Sequence, residues 1–392
     1  MPNSSRFSSP MQQLSMLPIG PQGTLLHRED IFQSQLNLEG PQRRDVDLIL
    51  GYMRDILNRA RNDMMAMLTQ DDTRFAIGDM LGSVGYRQMQ SACLTPSVHE
   101  LGSTGKGTTI SNSDMNVGMF FDVDVLRRED EYQFLLSAIY EVLSKDKAQV
   151  EQNMGVSPFR IRKEGRRVIN MEILDRDRLG FSVKTLDITI ASSVFLDTSM
   201  RQSAVETAHF DRELNSGGLS VMRRDIVRWT SDEVRNCIRD LKAYFFTFLP
   251  AAYTDVKSSF TSYVFEVIVI AAFQFPNPEL STGAMPSYSW KSTLCSLLDR
   301  SIHLMSRLRD TAILWKSKNI DLHGRASIFP EPICGPIKQP DHFVIMDPID
   351  PTHNLAHKAL EPFVRHCENL VKAHEKRGRT RIPRRIFSYG GL

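Results

Sequence analysis

A stretch of small, polar and acidic residues, ELGSTGKGTTISNSDMNVGMFFDVDV, runs from residue 100 to residue 125. Its first half is rich in glycine, serine and threonine, whose backbone N–H groups and hydroxyls can hold phosphates. Its second half contains Asp114 and, two residues later, Asn116. Carboxylates at this spacing commonly bind the metal ions that act on phosphates, and here the second position is an amide. The stretch therefore indicates phosphate chemistry with one negative charge missing.

The glycine-rich segment GSTGKGTT differs from the P-loop of nucleotide-binding ATPases. A P-loop has four residues between its first glycine and a Gly-Lys pair, and Ser or Thr follows the lysine. Here Lys106 is followed by Gly107. A glycine-rich loop alone is more often only a flexible turn. The carboxylates that follow it in the chain make two-metal nucleotidyl transfer the better interpretation.

Two alternating segments must position these carboxylates. In 115–125 the odd positions are apolar, which predicts a half-buried strand with Asp114 and Asn116 on one face. In 184–190 apolar residues alternate with polar ones, so Asp187 lies on the polar face of a second strand and can stand beside Asp114. Between them, 166–174 is a further predicted strand.

A second pair of aspartates, Asp122 and Asp124, does have the D-x-D spacing. Asp122 lies six residues beyond Asn116, about 20 Å along an extended strand, so it cannot bind the same ions as Asp114. We expect both to be exposed carboxylates at the end of the strand.

Helical periodicity flanks the strands. Apolar residues at three- and four-residue steps predict an amphipathic helix from about residue 41 to residue 67. Its outer face carries five arginines: Arg43, Arg44, Arg54, Arg59 and Arg61. The C-terminal half is predicted to be mostly helical, over 231–248, 259–274, 288–317 and 355–377.

The whole chain has 392 residues, 41% of them hydrophobic and 24% charged, with a net charge of +2. We predict an α+β, bilobal fold: a disordered leader (1–38), a lobe with a mixed β-sheet and flanking helices (39–225), a helical lobe (226–371) and a basic tail (372–392). No apolar run is long enough to cross a membrane. Five scattered cysteines and the lack of a signal peptide favour the cytosol or the nucleus. They also lack the spacing of a structural zinc site.

The loop GSTGKGTT followed by Asp114 resembles the donor-phosphate loop and metal strand of the 2′-5′-oligoadenylate synthetases, within the polymerase-β-like nucleotidyltransferase superfamily. Later stretches are similar to that family in the same order: RRDIVRWTSDEVRNCIRDLKAYFF (223–246), SYVFEVIVIAAF (262–273) and IMDPIDPTHNLA (345–356). The resemblance covers roughly residues 41 to 370. It implies an RNA-sensing enzyme that uses ATP with Mg²⁺ or Mn²⁺, in which RNA closes the lobes and brings Asp187 to Asp114.

The resemblance also implies roles for single residues. Asp114, Asn116 and Asp187 occupy the catalytic positions, with Asp114 and Asp187 as metal ligands. Nucleotide contacts are expected at Gly102, Ser103, Arg239, Lys242 and Tyr263. A surface for double-stranded RNA is expected at Lys106, Arg224 and Arg228, extended by arginines of the first helix such as Arg44. The usual meaning of a pair such as Arg224 and Arg228, at i and i+4, is only a solvated helix face.

Three departures from the family pattern weaken the expectation of activity. Asn116 replaces a metal-binding aspartate, Glu100 stands where a basic residue commonly faces RNA, and Ser262 stands where glutamine is usual. The charge lost at Asn116 is worth on the order of 4 kcal/mol at an effective dielectric of 20. That energy corresponds to roughly a thousandfold in rate. The alternative function is therefore a catalytically inactive protein that binds double-stranded RNA or acts as a scaffold.

Overall fold

The computed structural model of the chain describes residues 41–110, 113–164, 167–174, 182–208, 211–259, 262–274, 297–315, 332–336, 343–350, 353–356 and 360–380. The predicted leader over 1–38 and the end of the basic tail lie outside these residues. Among the described helices, none is long and apolar enough to cross a membrane.

The first lobe is built from helices and a sheet that follow one another along the chain. Its helices are α1 (Arg43–Thr69), α2 (Asp71–Ala92), the short α3 (Gly102–Lys106) and α4 (Glu129–Met154). Its strands are β1 (Ser97–Leu101), β2 (Met115–Phe121), β3 (Phe159–Glu164), β4 (Val168–Ile173) and β5 (Thr185–Ser192). The strands predicted over 166–174 and 184–190 are thus confirmed.

The five strands form one mixed sheet in the order β1-β2-β5-β4-β3. β2 and β5 are parallel, and the other three neighbouring pairs are antiparallel. The apolar positions of β2 and β5 face α1 and α4 in the first hydrophobic core. The other face of these strands carries the polar positions, because side chains alternate between the two faces of a strand. The candidate site therefore lies on the side away from this core.

The second lobe is mostly helical. It contains α5 (Arg201–Ala208), α6 (Ser216–Arg228), α7 (Asp232–Phe248), α8 (Pro250–Ser259), α9 (Tyr263–Gln274), α10 (Leu297–Ser306) and α11 (Glu361–Thr380). Its core is a second cluster in which Phe245, Phe265 and Phe363 pack together. α9 is almost wholly buried and is apolar on most of its surface, as expected for a helix at the centre of a core.

α6 joins the two lobes. Its residues Leu219, Met222 and Ile226 belong to the second core. Val221 packs instead with Leu101, Phe120 and Ala191 on the polar side of the sheet. The boundary expected after residue 225 thus falls inside this helix, because one helix buries side chains in both directions.

Several predicted boundaries differ from the structure. The strand predicted over 115–125 ends at Phe121, where the backbone turns, and Asp122 and Asp124 are exposed beyond it as expected. The helix predicted over 288–317 is wrong in its last part. α10 ends at Ser306, and residues Thr311–Trp315 form β6, which pairs with β7 (Pro332–Pro336) in a two-stranded sheet. The run TAILW is rich in strand-forming residues, and pairing with β7 decides its structure.

The last helix also differs from its prediction. α11 begins at Glu361, six residues after the predicted start at 355, and it continues to Thr380. The first nine residues of the predicted basic tail, 372–380, are therefore helical, and the remainder lies outside the described residues. Leu370 and Val371 are the last apolar residues of this helix that pack against the second core.

Candidate functional site

A cavity of about 270 Å³ lies between the polar side of the sheet and the second lobe. Residues of the first lobe line one side of it: Gly102, Ser103, Lys106, Ser113, Asp114, Asn116 and Asp187. Residues of the second lobe line the other side: Ser220, Arg223, Lys242, Tyr253, Ser262, Tyr263 and Glu266. Most of the residues predicted to act on nucleotide and metal are therefore brought together in one cavity, although they come from distant parts of the chain.

The acidic wall of the cavity follows from the register of two parallel strands. Asn116 of β2 lies directly opposite Asp187 of β5, so both side chains point to the same face. Asp114 precedes β2 and accepts a hydrogen bond from the hydroxyl of Thr185. Asn170 of β4 donates to Asp187 Oδ1 at 2.9 Å. Asp114 and Asp187 line the same cavity.

The glycine-rich segment forms the floor beneath this wall. Gly102 has a φ of +58°, a conformation that favours glycine. A Cβ atom at this position would lie 2.8 Å from Asn116 Oδ1, so the absence of a side chain lets the loop approach the amide. A Cβ at Gly105 would lie 2.7 Å from the carbonyl oxygen of Glu100. Glycine is thus required at two positions of α3 by close packing.

Two buried lysines share one buried carboxylate in the basic wall. Lys242 Nζ lies 2.5 Å from Glu266 Oε1, and Lys106 Nζ lies 2.8 Å from Glu266 Oε2. Thr108 donates to Glu266 Oε1 at 3.1 Å. Burial alone would raise the pKa of Glu266, but the two ammonium groups outweigh it and lower the pKa below its usual range. Burial lowers the pKa of Lys106, and Glu266 opposes this effect. The three groups together carry a net positive charge.

A third cation, Arg223, is held in place by the segment that carries the D-P-x-D sequence. Its Nε and Nη2 atoms donate to Asp347 Oδ2 at 2.9 and 2.6 Å. Burial opposes the charge of Asp347, but Arg223 outweighs it and lowers the pKa of this carboxyl. The next aspartate, Asp350, accepts from Arg212 Nε at 2.5 Å. This segment therefore holds Arg223 beside the cavity and pairs with a second arginine, and neither aspartate lines the cavity itself.

Tyr263 stands between the cations. Lys106 Nζ lies 4.4 Å from its ring centroid, and the guanidinium carbon of Arg223 lies 5.3 Å from it. The side chain is buried, and its hydroxyl has no hydrogen-bond partner among the described residues. Burial raises the pKa of this hydroxyl well above its usual range, so it remains a donor at neutral pH. A buried donor that lines a cavity in this way fits an oxygen of a bound ligand.

The position predicted for Lys106, on an outer RNA-binding surface, is wrong. Only 6% of this residue is exposed, and its ammonium faces Glu266 inside the cavity. The reason is that α3 turns the lysine inward, where a carboxylate from α9 compensates its charge. Arg239 differs in another way: its Nε donates to the carbonyl oxygen of Thr109 at 3.3 Å, and it does not line the cavity.

The remaining arginines predicted to bind RNA lie outside the cavity. Arg44 and Arg228 are exposed. Arg224 is mostly buried, pairs with Asp225 and donates to the carbonyl oxygen of Glu100 at 3.2 Å. The carboxylate of Glu100 accepts from Arg43 at 2.9 Å. Arg44 and Arg228 therefore supply exposed basic charge in this region, and the carboxylate of Glu100 compensates the charge of Arg43.

Some cavity residues were not predicted as site residues. Glu266 is the only charged residue of α9, a helix that is otherwise apolar, and this signal in the sequence could have identified it. Arg223 carries no comparable signal, since it is one of four arginines in a short stretch of sequence. Tyr253 was not identified either. Ser262, noted as a departure from the family pattern, does line the cavity.

The donors present fit one hard cation that shares its coordination with a ligand. Asp114 and Asp187 supply carboxylates, and Asn116 supplies an amide oxygen. Mg²⁺ is commonly held by one or two carboxylates together with substrate phosphates and waters. Among the described residues, no group of three or more His, Cys, Asp or Glu side chains could hold a metal ion. The cavity thus offers two charged ligands, where a two-metal site uses more.

No protein-family model matches the sequence, and no curated protein matches it. The structure is similar to several solved structures. One is terminal uridylyl transferase 4 from Trypanosoma brucei with bound GTP, at a TM-score of 0.41, 12% identity, and coverage of 82% of this chain and 97% of that chain. A second is the polymerase core of TRAMP, an RNA surveillance complex, at a TM-score of 0.39, 13% identity, and coverage of 80% and 84%. A third is the Cid1 poly(U) polymerase bound to MgATP, at a TM-score of 0.39, 10% identity, and coverage of 91% and 97%.

Proposed function

We propose that the chain is a nucleotidyltransferase of the oligoadenylate-synthetase type, which transfers AMP from ATP to a 2′-hydroxyl and responds to double-stranded RNA. The observation that carries this proposal is that the cavity has an acidic wall and a basic wall. One wall holds two carboxylates and an amide. The other holds two buried lysines, the mostly buried Arg223 and a tyrosine hydroxyl with no hydrogen-bond partner among the described residues. A triphosphate with a divalent cation has the charge distribution that matches both walls.

The basic wall would hold the phosphates. Lys106 and Lys242 are already desolvated, so little further cost is incurred when an anion approaches them. Glu266 pairs with both of them and holds them in place. The hydroxyl of Tyr263 would donate to a phosphate or sugar oxygen, and Ser103 with the backbone of α3 would hold the outer phosphates.

The acidic wall would serve the reaction. Asp114 and Asp187 would hold a Mg²⁺ ion, whose charge would compensate that of the phosphates and of the departing pyrophosphate. The acceptor hydroxyl forms a bond to the α-phosphorus, the bond from that phosphorus to the bridging oxygen breaks, and pyrophosphate leaves. The carboxylate of Asp187 would take the proton of the hydroxyl, and the hydrogen bond that Asn170 donates to its Oδ1 would fix its orientation.

The RNA part of the proposal rests on exposed arginines. Arg44 and Arg228 lie on α1 and α6, whose neighbours Arg43 and Arg224 are linked through Glu100. A duplex would be bound through phosphates and 2′-hydroxyls, so the affinity should fall with salt. A contact from this surface to the cavity exists, because Gly105 of α3 packs directly on Glu100 and Arg224.

One observation favours a second candidate function, a catalytically inactive RNA-binding protein or scaffold. Asn116 occupies the register position opposite Asp187 and supplies no negative charge. Loss of that charge corresponds to roughly a thousandfold in rate, if the whole effect of about 4 kcal/mol falls on the transition state. Such a protein would keep nucleotide and RNA binding without turnover.

The test is a product assay. Wild-type protein, Asn116→Asp and the double variant Asn116→Asp with Asp187→Asn are incubated with ATP labelled on the α-phosphate, Mg²⁺ or Mn²⁺, and long double-stranded RNA. We expect slow formation of 2′-5′-linked products by the wild type, a large gain in Asn116→Asp, and loss in the double variant.

The outcomes separate the two functions. Product from the wild type contradicts the inactive function. Product from Asn116→Asp alone supports the inactive function and contradicts turnover by the natural chain. Absence of product from all three proteins, with normal folding, contradicts the assignment to nucleotidyl transfer.

A further inference from the structure

A row of polar residues continues across the sheet from the cavity to its edge. Asn116 lies opposite Asp187, Asp187 opposite Asn170, and Asn170 opposite Arg162. Residues directly opposite one another in paired strands project to the same face. The acidic wall of the cavity and the guanidinium of Arg162 are therefore on one face of one sheet, and Asn170 lies between them.

The two halves of this face of the sheet differ in what packs against them. Over β1, β2 and β5 the face is packed against α6 through Leu101, Phe120, Ala191 and Val221. Over β3, at the edge of the sheet, Arg160 and Arg162 are exposed to solvent. The apolar side chains of β4 turn the other way, into the first core. The polar row that begins at the cavity thus ends in a polar, basic strip, Arg160 and Arg162, at the sheet edge.

The charges of this strip are unevenly compensated. Arg160 pairs with Glu172 at 3.1 Å. Arg162 makes no ion pair or hydrogen bond with the residues that the structure describes. Two strand spacings separate it from Asp187, about 10 Å in the direction of the backbone hydrogen bonds. An exposed arginine without a counter-ion at this distance can contact a phosphate of a chain whose end reaches Asp187.

We propose that the row from Asp187 through Asn170 to Arg162 is a track that binds a single-stranded oligonucleotide acceptor. The end of the acceptor lies at Asp187, and Arg162 contacts one of the backbone phosphates near that end. The track deepens the proposed function and rests on it. A single strand is favoured over a duplex because the row ends in a cavity of about 270 Å³. That volume suits one small ligand or a chain end, and a duplex is far wider.

The experiment compares Arg162→Ala with Lys163→Ala. Lys163 is the next residue of the same strand and carries the same charge. Its ammonium lies on the opposite face, 3.3 Å from Ser137 Oγ and over the ring of Tyr140. Binding of a fluorescent single-stranded oligoadenylate is measured by anisotropy at several salt concentrations, together with a long duplex. Melting temperatures verify that both variants fold, and Arg162→Lys tests whether charge alone restores binding.

We expect Arg162→Ala to weaken single-strand binding about tenfold and to lower the slope of log K against log salt by about 0.7, as expected for one lost phosphate contact. Lys163→Ala should change the affinity less than twofold, and Arg162→Lys should restore most of the loss. Equal effects of the two alanine variants, or no effect of Arg162→Ala, would overturn the track. A loss of duplex affinity as large as the loss for the single strand would overturn the single-stranded assignment.

The same measurements separate this inference from the proposed function. Binding needs no turnover, so an Arg162-specific loss supports the track even in a chain that forms no product. Product formation with an unchanged KM for the acceptor in Arg162→Ala overturns the track and leaves the proposed reaction in place.

Discussion

At the scale of single residues, the cavity contains buried charged side chains that compensate one another. Glu266 is 1% exposed and lies between the ammonium groups of Lys106 and Lys242. Removal of one partner from such a group leaves charges that neither water nor protein compensates. The same carboxylate of α9 therefore links α3 and α7 and holds the lysines that would meet phosphate.

Glu266→Gln should lower the free energy of unfolding by about 3–5 kcal/mol, because two buried lysines lose their counter-ion. Urea denaturation measures the change. Glu141→Gln is the matched control, since Glu141 is exposed on α4, and there we expect a change within about 0.5 kcal/mol. Equal stability losses in the two variants would contradict the role given to Glu266.

Gly102→Ala should impair nucleotide binding. The new Cβ would lie 2.8 Å from Asn116 Oδ1, and the φ of +58° costs a residue other than glycine about 1–2 kcal/mol. Gly51→Ala is the control, since nothing lies within 4 Å of a Cβ at that helical position. Titration with ATP measures both variants, and normal binding by Gly102→Ala would show that α3 is not part of the binding site.

At the scale of elements, the sequence patterns predicted the strands, but they did not predict which elements contact one another. The alternation of apolar and polar residues identified β2 and β5 and placed Asn116 and Asp187 on polar faces. This pattern specifies the register strongly, since a shift of one residue would turn every side chain to the other face. It could not show that Lys106 faces inward, since its partner Glu266 lies 160 residues further along the chain. Residues 311–315 were assigned to a helix because a short apolar run does not distinguish helix from strand.

The segment from Asp347 to Asn354 is a second element whose role depends on distant partners. Asp347 is fully buried and accepts from Arg223 of α6, while Asn354 bonds to the backbone at Phe343, Ile345 and Ala356. The resemblance indicated that this segment matters, and its contacts give the physical reason. It holds an arginine of the cavity in place.

Stability should fall in acid because of Asp347. Its pKa is lowered in the folded protein, since Arg223 outweighs the effect of burial. A lowered pKa contributes stability above the ordinary value of about 4, and this contribution is lost as the pH falls through the folded-state value. Unfolding between pH 7 and pH 3 should therefore show a smaller loss in Asp347→Asn than in the wild type, from a lower starting stability. Parallel pH profiles would contradict this assignment.

At the scale of the whole molecule, the two cores meet across α6, and the cavity lies where they meet. The sequence predicted a cleft between a sheet lobe and a helical lobe, and the cavity is lined by residues from both sides of the predicted boundary. The sequence could not reveal that α6 contributes to both sides. The exposed arginines Arg44 and Arg228 lie on α1 and α6, so an RNA duplex bound there would contact helices of both lobes.

The double variant Arg44→Glu, Arg228→Glu should bind double-stranded RNA at least about tenfold more weakly and should lower the salt slope by about one for each lost phosphate contact. Arg74→Glu with Arg87→Glu is the matched control, since both residues are exposed on α2 and the change in net charge is the same. Anisotropy with a labelled duplex measures both. A comparable loss in the control would show that net charge alone governs binding.

The central claim is that the cavity holds a nucleoside triphosphate together with a divalent cation, and calorimetric titration with a non-hydrolysable ATP analogue tests it most directly. Wild-type protein and Tyr263→Phe are titrated with and without Mg²⁺. The account predicts saturable binding that Mg²⁺ strengthens. It also predicts a loss of about five- to tenfold in Tyr263→Phe, as one hydrogen bond of about 1 kcal/mol requires, with no fall in melting temperature. Absence of saturable binding by the folded wild type, or binding that responds neither to Mg²⁺ nor to Tyr263→Phe, would contradict it.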